Sequence, residues 1–354
     1  MITELTRQRY AELAKRVAAG GRDGRWLVLT HDNPDPDALA SAAILGQVLR
    51  RAFGQRVTLA YGGLIGRAEN QEMVRALALR FSHLRRLSFK KYARFALVDT
   101  QPKTGNNQLP HDVVPDLVID HHPLRKATQA APFVDVRRDY GATATIAGEY
   151  LLASGLEPTR HHATALVYAI RSETLDFLRE AAGPDRKLYD RLLPRVDKGA
   201  LARIQRAPLP VSYFRNLHQG LESLETVETL IISHLGVVEQ PDIVPEIADL
   251  LLRMEGKTWS LATGLYGDRV YLSVRTSNTR ADAGHLMRRI VGRRGKGGGH
   301  GTTAGGWAPI TAGYAEVPAT LQRQLARRLA QVLKKNPEKI VPVVFSGAAD
   351  RASE

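Results

Sequence analysis

Apolar segments that end in acidic residues or histidine limit the possible folds of this chain more than any other feature. Segments 25–31, 94–100 and 115–122 are typical of buried strands, and each has Asp or His among its last two residues. Segment 38–53 carries apolar residues at helical spacing, and alternating strands and helices predict an α/β fold with a doubly wound, mostly parallel five-stranded sheet. Ligand sites in such sheets lie beyond the carboxyl ends of the strands. We therefore expect the polar clusters to meet at one edge of the sheet.

The chain is long enough to bury two cores, since 354 residues exceed the usual size of one domain. A charged, proline-interrupted region begins near residue 183, and a second α/β pattern with a hairpin over 259–277 follows it. This pattern predicts a smaller C-terminal α/β domain with a mixed sheet, and an active site in the cleft between the domains. The expected boundaries are 1–190 for the first domain, 191–235 for a helical linker, 236–345 for the second domain and 346–354 for a disordered tail.

The composition excludes some chemistry and favours polyanionic partners. Cysteine is absent, which excludes disulfides, a thiolate nucleophile and zinc–cysteine sites. The sequence has neither a stretch of roughly 18 apolar residues that would span a membrane nor a signal-peptide pattern, so we expect a cytoplasmic protein without a membrane partner. The net charge of +14 favours nucleic acid, nucleotides or polyphosphate as partners, although an arginine-rich background composition would give the same charge.

The stretch LTHDNPDPDALASA (29–42) places Asp32, Asp35 and Asp37 beside His31. Carboxylates this close repel one another unless cations lie among them, and oxygen ligands with imidazole suit hard divalent ions. The alternative is a turn of Asp, Asn and Pro residues that caps the next helix, with Asp37 as the N-cap.

Two further strand ends favour a metal site over a capping turn. Asp99 follows the apolar run RFALV, and Asp120, His121 and His122 follow DLVI. Such side chains are costly to desolvate at the end of a buried strand without partners. Three strand ends that carry metal-type ligands therefore predict one shared metal site.

The order of these motifs resembles that of the DHH-type phosphoesterases. The motifs are HDNPDPDALAS, ALVDT, VIDHHP, SETLDF and GGGH, and the resemblance spans about residues 20 to 345. The last motif resembles the DHH-associated C-terminal domain of the branch that contains nanoRNases, oligoribonucleases and pAp phosphatases. The resemblance implies two metal ions, usually Mn²⁺, with Mg²⁺ or Co²⁺ as possible substitutes.

The resemblance also assigns roles to the residues of the acidic cluster. The implied ligands are His31, Asp35 and Asp99 for one ion, and Asp37, Asp99 and His121 for the other. His122 is implied to face the phosphate and to donate a hydrogen bond to it. Asp120 is implied to orient a histidine from behind.

Glu173 stands where the family usually has an aspartate that completes the second ion's ligands. We favour Glu173 over Asp176 for this role. Four carboxylates, those of Asp35, Asp37, Asp99 and Glu173, would balance two divalent cations. A water that bridges the ions and is deprotonated near neutral pH is the expected nucleophile.

Substrate contacts are expected in two regions. The glycine-rich loop over 295–306 can turn backbone N–H groups toward an anion, and the alternative is a flexible loop beside a solvated basic helix. Segment 66–70 resembles a family segment near the cleft, with plain helix capping as the alternative. The residues expected to bind substrate are Arg275, Gly297, Gly298, Gly299, His300, Arg67 and Asn70.

These features predict a manganese-dependent phosphodiesterase that degrades short oligonucleotides (nanoRNA) to mononucleotides from the 3′ end. Few aromatic residues flank the glycine-rich loop, so extensive stacking on a long strand is not expected. Two alternatives stay open. One is the same chemistry on pAp, cyclic or linear dinucleotides, or polyphosphate, and the other is a nucleotide- or RNA-binding protein that has lost its metal. No obligate protein partner is evident, and a homodimer is possible.

Overall fold

The chain divides into two units, Met1–Ala207 and Pro208–Glu354. The structure, a computed structural model, describes residues 2–20, 24–178, 181–293, 295–310 and 317–343. The division falls inside the region 191–235 that was expected to be a linker. The expected tail, 346–354, lies outside the described residues.

The first unit contains a fully parallel sheet, which confirms the predicted α/β fold. Its strand order is β3-β2-β1-β4-β5-β6. The strands are β1 (Arg25–Leu29), β2 (Arg56–Tyr61), β3 (Phe81–His83), β4 (Arg94–Val98), β5 (Leu117–Asp120) and β6 (Phe133–Val136). The prediction of five strands was wrong by one, because β3 is an edge strand of three residues and is too short to give an apolar pattern.

Helices flank this sheet. They are α1 (Glu4–Ala19), α2 (Pro36–Arg51), α3 (Ala68–Ala76), α4 (Thr143–Ala153), α5 (Arg160–Glu173), α6 (Gly183–Leu192) and α7 (Lys198–Gln205). The central helix α2 packs against α4 and α5 and is buried along most of its length. It begins at Pro36, and its N-cap is Asp35, which accepts a hydrogen bond from the Ala38 amide, so the N-cap is not Asp37, as the alternative interpretation of this stretch had it. Proline fixes a helical φ at the first helical position, which places the cap one residue earlier.

The second unit contains a mixed seven-stranded sheet with the order β11-β12-β10-β9-β8-β7-β13. Within the described strands of this second sheet, only β8 and β9 pair in parallel. Its strands are β7 (Glu225–Val227), β8 (Leu230–Val237), β9 (Trp259–Tyr266), β10 (Arg269–Thr276), β11 (Lys296–His300), β12 (Thr303–Pro309) and β13 (Val341–Pro342). Its helices are α8 (Val211–Glu222), α9 (Ile243–Leu251), α10 (Ala283–Val291) and α11 (Val317–Val332).

The glycine-rich segment 295–306 is a β-hairpin, and the prediction of a loop was wrong. Gly297 pairs with Gly306 across β11 and β12, and α10 packs on both strands. A Cβ atom on Gly297 would lie 2.7 Å from Cγ of Met287, a residue of α10. The glycines therefore let a helix approach the two strands closely, which a sequence pattern cannot distinguish from a flexible loop.

None of the helices in the described part of the chain combines the length and apolar character needed to cross a membrane.

Candidate metal centre

The predicted acidic and histidine residues of the first unit follow three neighbouring strands of its sheet. His31 lies just beyond β1, Asp99 directly follows β4, and Asp120 is the last residue of β5. Since β1, β4 and β5 are adjacent and parallel, their carboxyl ends share one edge of the sheet. The first turn of α2 adds Asp37 at the same edge, where it meets the N-terminus of α4.

Asp99 lies between two histidines and is almost completely buried. Its Oδ2 is 3.5 Å from Nε2 of His31, and its Oδ1 is 3.8 Å from Nε2 of His121. Its backbone has a φ of 57°, in the left-handed region that Asp tolerates better than most residues. The Thr143 hydroxyl donates a hydrogen bond of 2.8 Å to Oδ1. Each carboxylate oxygen of Asp99 thus faces a different imidazole.

His31 forms the first group with Asp35 and Asp99. The ligand atoms of these three residues lie within 4.8 Å of one another. Nδ1 of His31 donates to the Asp32 carbonyl at 2.9 Å, so Nε2 faces the two carboxylates. Burial alone would lower the pKa of His31, but its hydrogen bonds and the charges of Asp35 and Asp99 raise the pKa well above its ordinary value. The carboxylates of Asp35 and Asp99 therefore create a strongly negative electrostatic potential at His31.

His121 and Asp37 form the second group around Asp99. Nε2 of His121 is 3.9 Å from Oδ2 of Asp37. The backbone amides of Thr143 and Ala144, at the N-terminus of α4, donate to Asp37 at 2.8 and 2.6 Å. Burial raises the pKa of Asp37 well above its ordinary value, and the neighbouring charges of Asp99, Glu173 and Asp35 raise it further. Asp37 and Asp99 are therefore buried beside like charges.

His122 is held by Asp120 at the outer side of the cluster. Nδ1 of His122 donates to Oδ1 of Asp120 at 2.8 Å, and Gln101 donates to the other Asp120 oxygen at 2.6 Å. The amide of His121 also donates to Asp120. Burial would lower the pKa of His122, but the hydrogen bond to Asp120 and the charges of Asp99, Asp120 and Glu173 raise the pKa to about 9.

Glu173 is the last residue of α5 and is half-buried. Its charge contributes to the raised pKa of both Asp37 and His122, which places it at the edge of the cluster. Asp176 is exposed and forms an ion pair with Arg171. The structure therefore brings Glu173, and not Asp176, toward the second group.

The residues present fit divalent cations. Within the described residues, Nε2 of His121 is a buried nitrogen without a hydrogen-bond partner, while Nδ1 lies 3.2 Å from the Tyr140 carbonyl. With the proton on Nδ1, the Nε2 lone pair faces Asp37 and Asp99. Imidazole nitrogen with several carboxylates is a donor set for transition-metal ions such as Mn²⁺, and cations would relieve the repulsion among the buried carboxylates.

The residues expected to bind substrate lie in both units. Asn70 is buried in α3 and donates to the Pro34 carbonyl at 3.3 Å, while Arg67 occupies the N-cap position of α3 without a side-chain cap bond. In the second unit Arg275 donates to Asp249 and Ser273, both at 2.6 Å. Gly297, Gly298 and Gly299 form β11 with His300, whose side chain lies outside the described part of the chain.

Two residues of the site were missed by the sequence reasoning. Thr143 bonds both Asp37 and Asp99, and Gln101 bonds Asp120. Thr143 is preceded by Gly141 and Ala142 and begins a helix that follows β6, a position where a helix N-terminus can receive a carboxylate. That signal was present but gave no indication of which carboxylate it would meet.

Two family models match the chain. The DHH family, N-terminal domain, matches residues 25–170, and the DHHA1 domain matches residues 228–327. An uncharacterized protein of Methanocaldococcus jannaschii is 34% identical over 286 residues, which are 80% of this chain and 58% of that protein. An A-adding tRNA nucleotidyltransferase of Geobacter sulfurreducens is 24% identical over 290 residues, which are 78% of this chain and 32% of that protein. The chain thus spans about half or less of the length of these relatives.

A solved structure shares the fold. The crystal structure of an exopolyphosphatase-related protein from Bacteroides fragilis superposes with a TM-score of 0.70 at 14% identity, covering 95% of this chain and 99% of that chain. The order of the two matched domains agrees with the order of the two units and with the motifs that end β1, β4 and β5. The chain belongs to the DHH family, with a DHH domain followed by a DHHA1 domain.

Proposed function

We propose that this DHH-family hydrolase is a manganese-dependent phosphodiesterase that degrades short oligonucleotides to mononucleotides from the 3′ end. The observation that carries the proposal is the position of Asp99 between His31 and His121, with Asp35 and Asp37 on either side. This arrangement fits two cations that share one carboxylate. When bound, such ions activate water and stabilise negative charge on the phosphoryl oxygens.

The chain's own residues would supply the rest of the site. Thr143 and the amides at the N-terminus of α4 fix Asp37 and Asp99. Asp120 fixes the ring of His122, which is 38% exposed and would donate to an oxygen of the phosphate. The net charge of +14 favours a polyanionic substrate.

A substrate panel tests this proposal. Purified protein with Mn²⁺ is incubated with di- to pentanucleotides labelled at either end, and separately with pAp, cyclic dinucleotides and polyphosphate. We expect the oligonucleotides to be cleaved faster than the other substrates, with mononucleotides released from the 3′ end. Oligonucleotides that stay intact at micromolar enzyme would contradict the proposal. If oligonucleotides are cleaved tenfold more slowly than another substrate in the panel, that other substrate class would be assigned to the enzyme instead.

The Asp99→Asn variant is the control for metal dependence. It keeps the shape of the side chain but removes the shared charge, so both the bound manganese and the activity are expected to fall. Repeating the panel with Mg²⁺ or Co²⁺ shows which ion supports the reaction. A wild-type chain that holds less than one ion in excess manganese would favour a nucleotide-binding protein without catalysis.

A further inference from the structure

A cavity of about 440 Å³ lies at the edge strand β3 of the first sheet. It is separate from the residues of the metal centre. It is lined by Tyr61, Phe81, Ser82, His83, Arg85 and Arg86. Tyr61 is the last residue of β2, the next three residues form β3, and the arginines follow β3 directly. The cavity therefore lies where parallel α/β sheets place ligands, at the carboxyl ends of the strands.

One wall of the cavity is aromatic. The Tyr61 ring meets the His83 ring at 5.2 Å and the Phe81 ring at 6.5 Å, in edge-to-face geometry. Nδ1 of His83 accepts from the Arg85 amide at 3.0 Å, and Nε2 lies 2.9 Å from the Gly63 carbonyl. Both ring nitrogens are thus engaged with the backbone, so the imidazole is fixed as a flat surface rather than used as a donor to a ligand.

The rest of the lining, Ser82 with Arg85 and Arg86, is polar and is called here the cationic wall. Arg85 and Arg86 are both exposed, and within the described residues neither guanidinium forms an ion pair. Guanidinium groups bind phosphate oxygens through paired hydrogen bonds and also stack on aromatic rings. A ligand that satisfies both walls has a planar ring system and an anionic group.

The lining of the cavity contacts the segment that supports the metal centre, since Nε2 of His83 lies 2.9 Å from the Gly63 carbonyl. The Asn33 amide donates to the Gly62 carbonyl at 3.1 Å, and the Leu64 amide donates to Oδ1 of Asn33 at 2.7 Å. Residues 62–64 therefore lie between the cavity and the loop that carries His31 and Asp35. Adjacent strands are about 4.8 Å apart, so the cavity at β2 and β3 is one or two strands from the end of β1.

We propose that this cavity is a nucleotide subsite, in which a base stacks on the Tyr61 side and a phosphate binds Arg85 and Arg86. The inference rests on the proposed function and names its substrate class: a chain of nucleotides rather than inorganic polyphosphate, which has no ring to fill the aromatic wall. The nucleotide bound here would be one that is not cleaved, next to the phosphate at the metal centre.

Equilibrium binding without divalent ions tests the subsite independently of catalysis. In EDTA, the wild-type protein should bind AMP, and Tyr61→Leu should weaken AMP binding about tenfold, in line with the loss of one stacked base. Tyr61→Phe keeps the ring and should bind AMP as the wild type does. Inorganic tripolyphosphate should bind Tyr61→Leu and the wild type equally well.

The arginine pair has a matched control in two other exposed basic residues. The double variant Arg85→Ala/Arg86→Ala should weaken both AMP and tripolyphosphate, whereas Arg80→Ala/Lys90→Ala removes the same charge from exposed residues outside the cavity and should leave both unchanged. Equal losses in the two double variants, no AMP binding by the wild type, or unchanged AMP binding by Tyr61→Leu would each overturn the subsite.

Hydrolysis of bis(p-nitrophenyl) phosphate with Mn²⁺ separates this inference from the proposed function. The phosphate of this small ester is the one at the metal centre, and the ester has no second phosphate for Arg85 and Arg86, so Tyr61→Leu should cleave it at the wild-type rate and show a raised KM only for dinucleotides. If the wild type cleaves neither substrate, the proposed function fails while the binding result still decides the subsite. If Tyr61→Leu loses activity toward the small ester as well, the residue acts on the fold and the subsite is overturned.

Discussion

At the scale of single residues, Asp99 shows how the chain accommodates buried charge. Its left-handed backbone, at φ 57°, costs on the order of 1 kcal/mol relative to an ordinary conformation. Its amide still donates to the Ile119 carbonyl of the neighbouring strand, so the strain is confined to the residue that turns out of the sheet. The cost is tolerated because the surrounding sheet and the Thr143 hydroxyl fix the position.

Glu173 gives the first prediction, since its place at the second group is set by the end of α5. Glu173→Gln should lower the affinity for one of two Mn²⁺ ions by about 10- to 100-fold, because a neutral amide replaces a charged ligand. Glu173→Asp keeps the charge and should retain both ions. Metal titration followed by calorimetry measures the two affinities.

Asp176→Asn is the matched control, because Asp176 is exposed and paired with Arg171. It should bind both ions like the wild type. Loss of an ion in this variant, together with normal binding by Glu173→Gln, would assign the ligand to Asp176.

The residues of the cluster could be predicted because each strand end carries a polar signature. Asp99 and His121 each lie just after an apolar run. Because the strands are parallel and adjacent, their order alone places both residues at the same edge of the sheet. Thr143 and Gln101 could not be predicted, since their roles depend on which carboxylate the folded chain brings to them. A threonine at a helix start satisfies the same local rules whether or not a carboxylate lies nearby.

At the scale of elements, local apolar patterns predicted most strands and helices of the first unit but missed the three-residue strand β3 and the glycine-rich strand β11. The helix predicted over 38–53 is α2, and the hairpin over 259–277 is β9 and β10. The strand β3 has three residues, and β11 consists mainly of glycine. These two elements are specified by their neighbours in the sheet and by the close approach of α10, which a local pattern does not contain.

The glycines of β11 give the second prediction. Gly297→Ala should destabilise the second unit by about 1–3 kcal/mol, because the new methyl group would lie 2.7 Å from Met287 Cγ in the core. In a Trp26→Phe background the remaining tryptophans, Trp259 and Trp307, report on the second unit during urea unfolding.

Gly298→Ala is the control for this experiment, since a Cβ atom there meets no other atom within 4 Å. It should change the stability much less than Gly297→Ala does. Equal losses for the two variants would show that backbone freedom, and not the contact with α10, explains the glycines.

His234 on β8 gives a third prediction, for pH. Burial lowers the pKa of His234 to about 4, and the charge of Arg323 adds to the effect. The unfolded chain, with an ordinary pKa near 6.5, therefore binds a proton that the folded chain does not bind between these values. The contribution of the neutral His234 to the free energy of unfolding is fully present above pH 6.5. This contribution, about 3 kcal/mol, is lost as the pH falls toward 4.

Urea unfolding of the second unit at pH 7 and pH 4.5 measures this loss. His234→Asn retains a polar atom near Thr263, whose hydroxyl lies 2.7 Å from Nδ1 of His234, and removes the titrating group. The free energy of unfolding differs between the two pH values, and this difference should be about 2–3 kcal/mol smaller in the variant than in the wild type. His111→Asn, at an exposed loop position, should retain the wild-type difference, and a His234→Asn difference equal to the wild type would refute the assignment.

At the scale of the whole molecule, charge and local contacts make separate contributions to substrate binding. The net charge of +14 attracts any polyanion, and salt screens this attraction beyond a distance of about 8–10 Å. Phosphates that contact arginine directly release counterions, so their number sets the slope of log KM against log salt, roughly 0.7 per contacted phosphate of a single strand. The slope therefore counts contacts rather than charge.

The last prediction follows from this difference. If a pentanucleotide contacts basic residues through three phosphates, its KM should rise about 20-fold between 50 and 200 mM salt, whereas a phosphodiester with one charge should change about threefold. The Arg85→Ala/Arg86→Ala variant removes one phosphate contact and should reduce the pentanucleotide slope by about 0.7, and Arg80→Ala/Lys90→Ala should not. Steady-state KM values at five salt concentrations give both slopes. If the pentanucleotide and the small ester show the same slope, or if the two double variants lower it equally, the diffuse charge of the molecule and not a set of phosphate contacts governs binding.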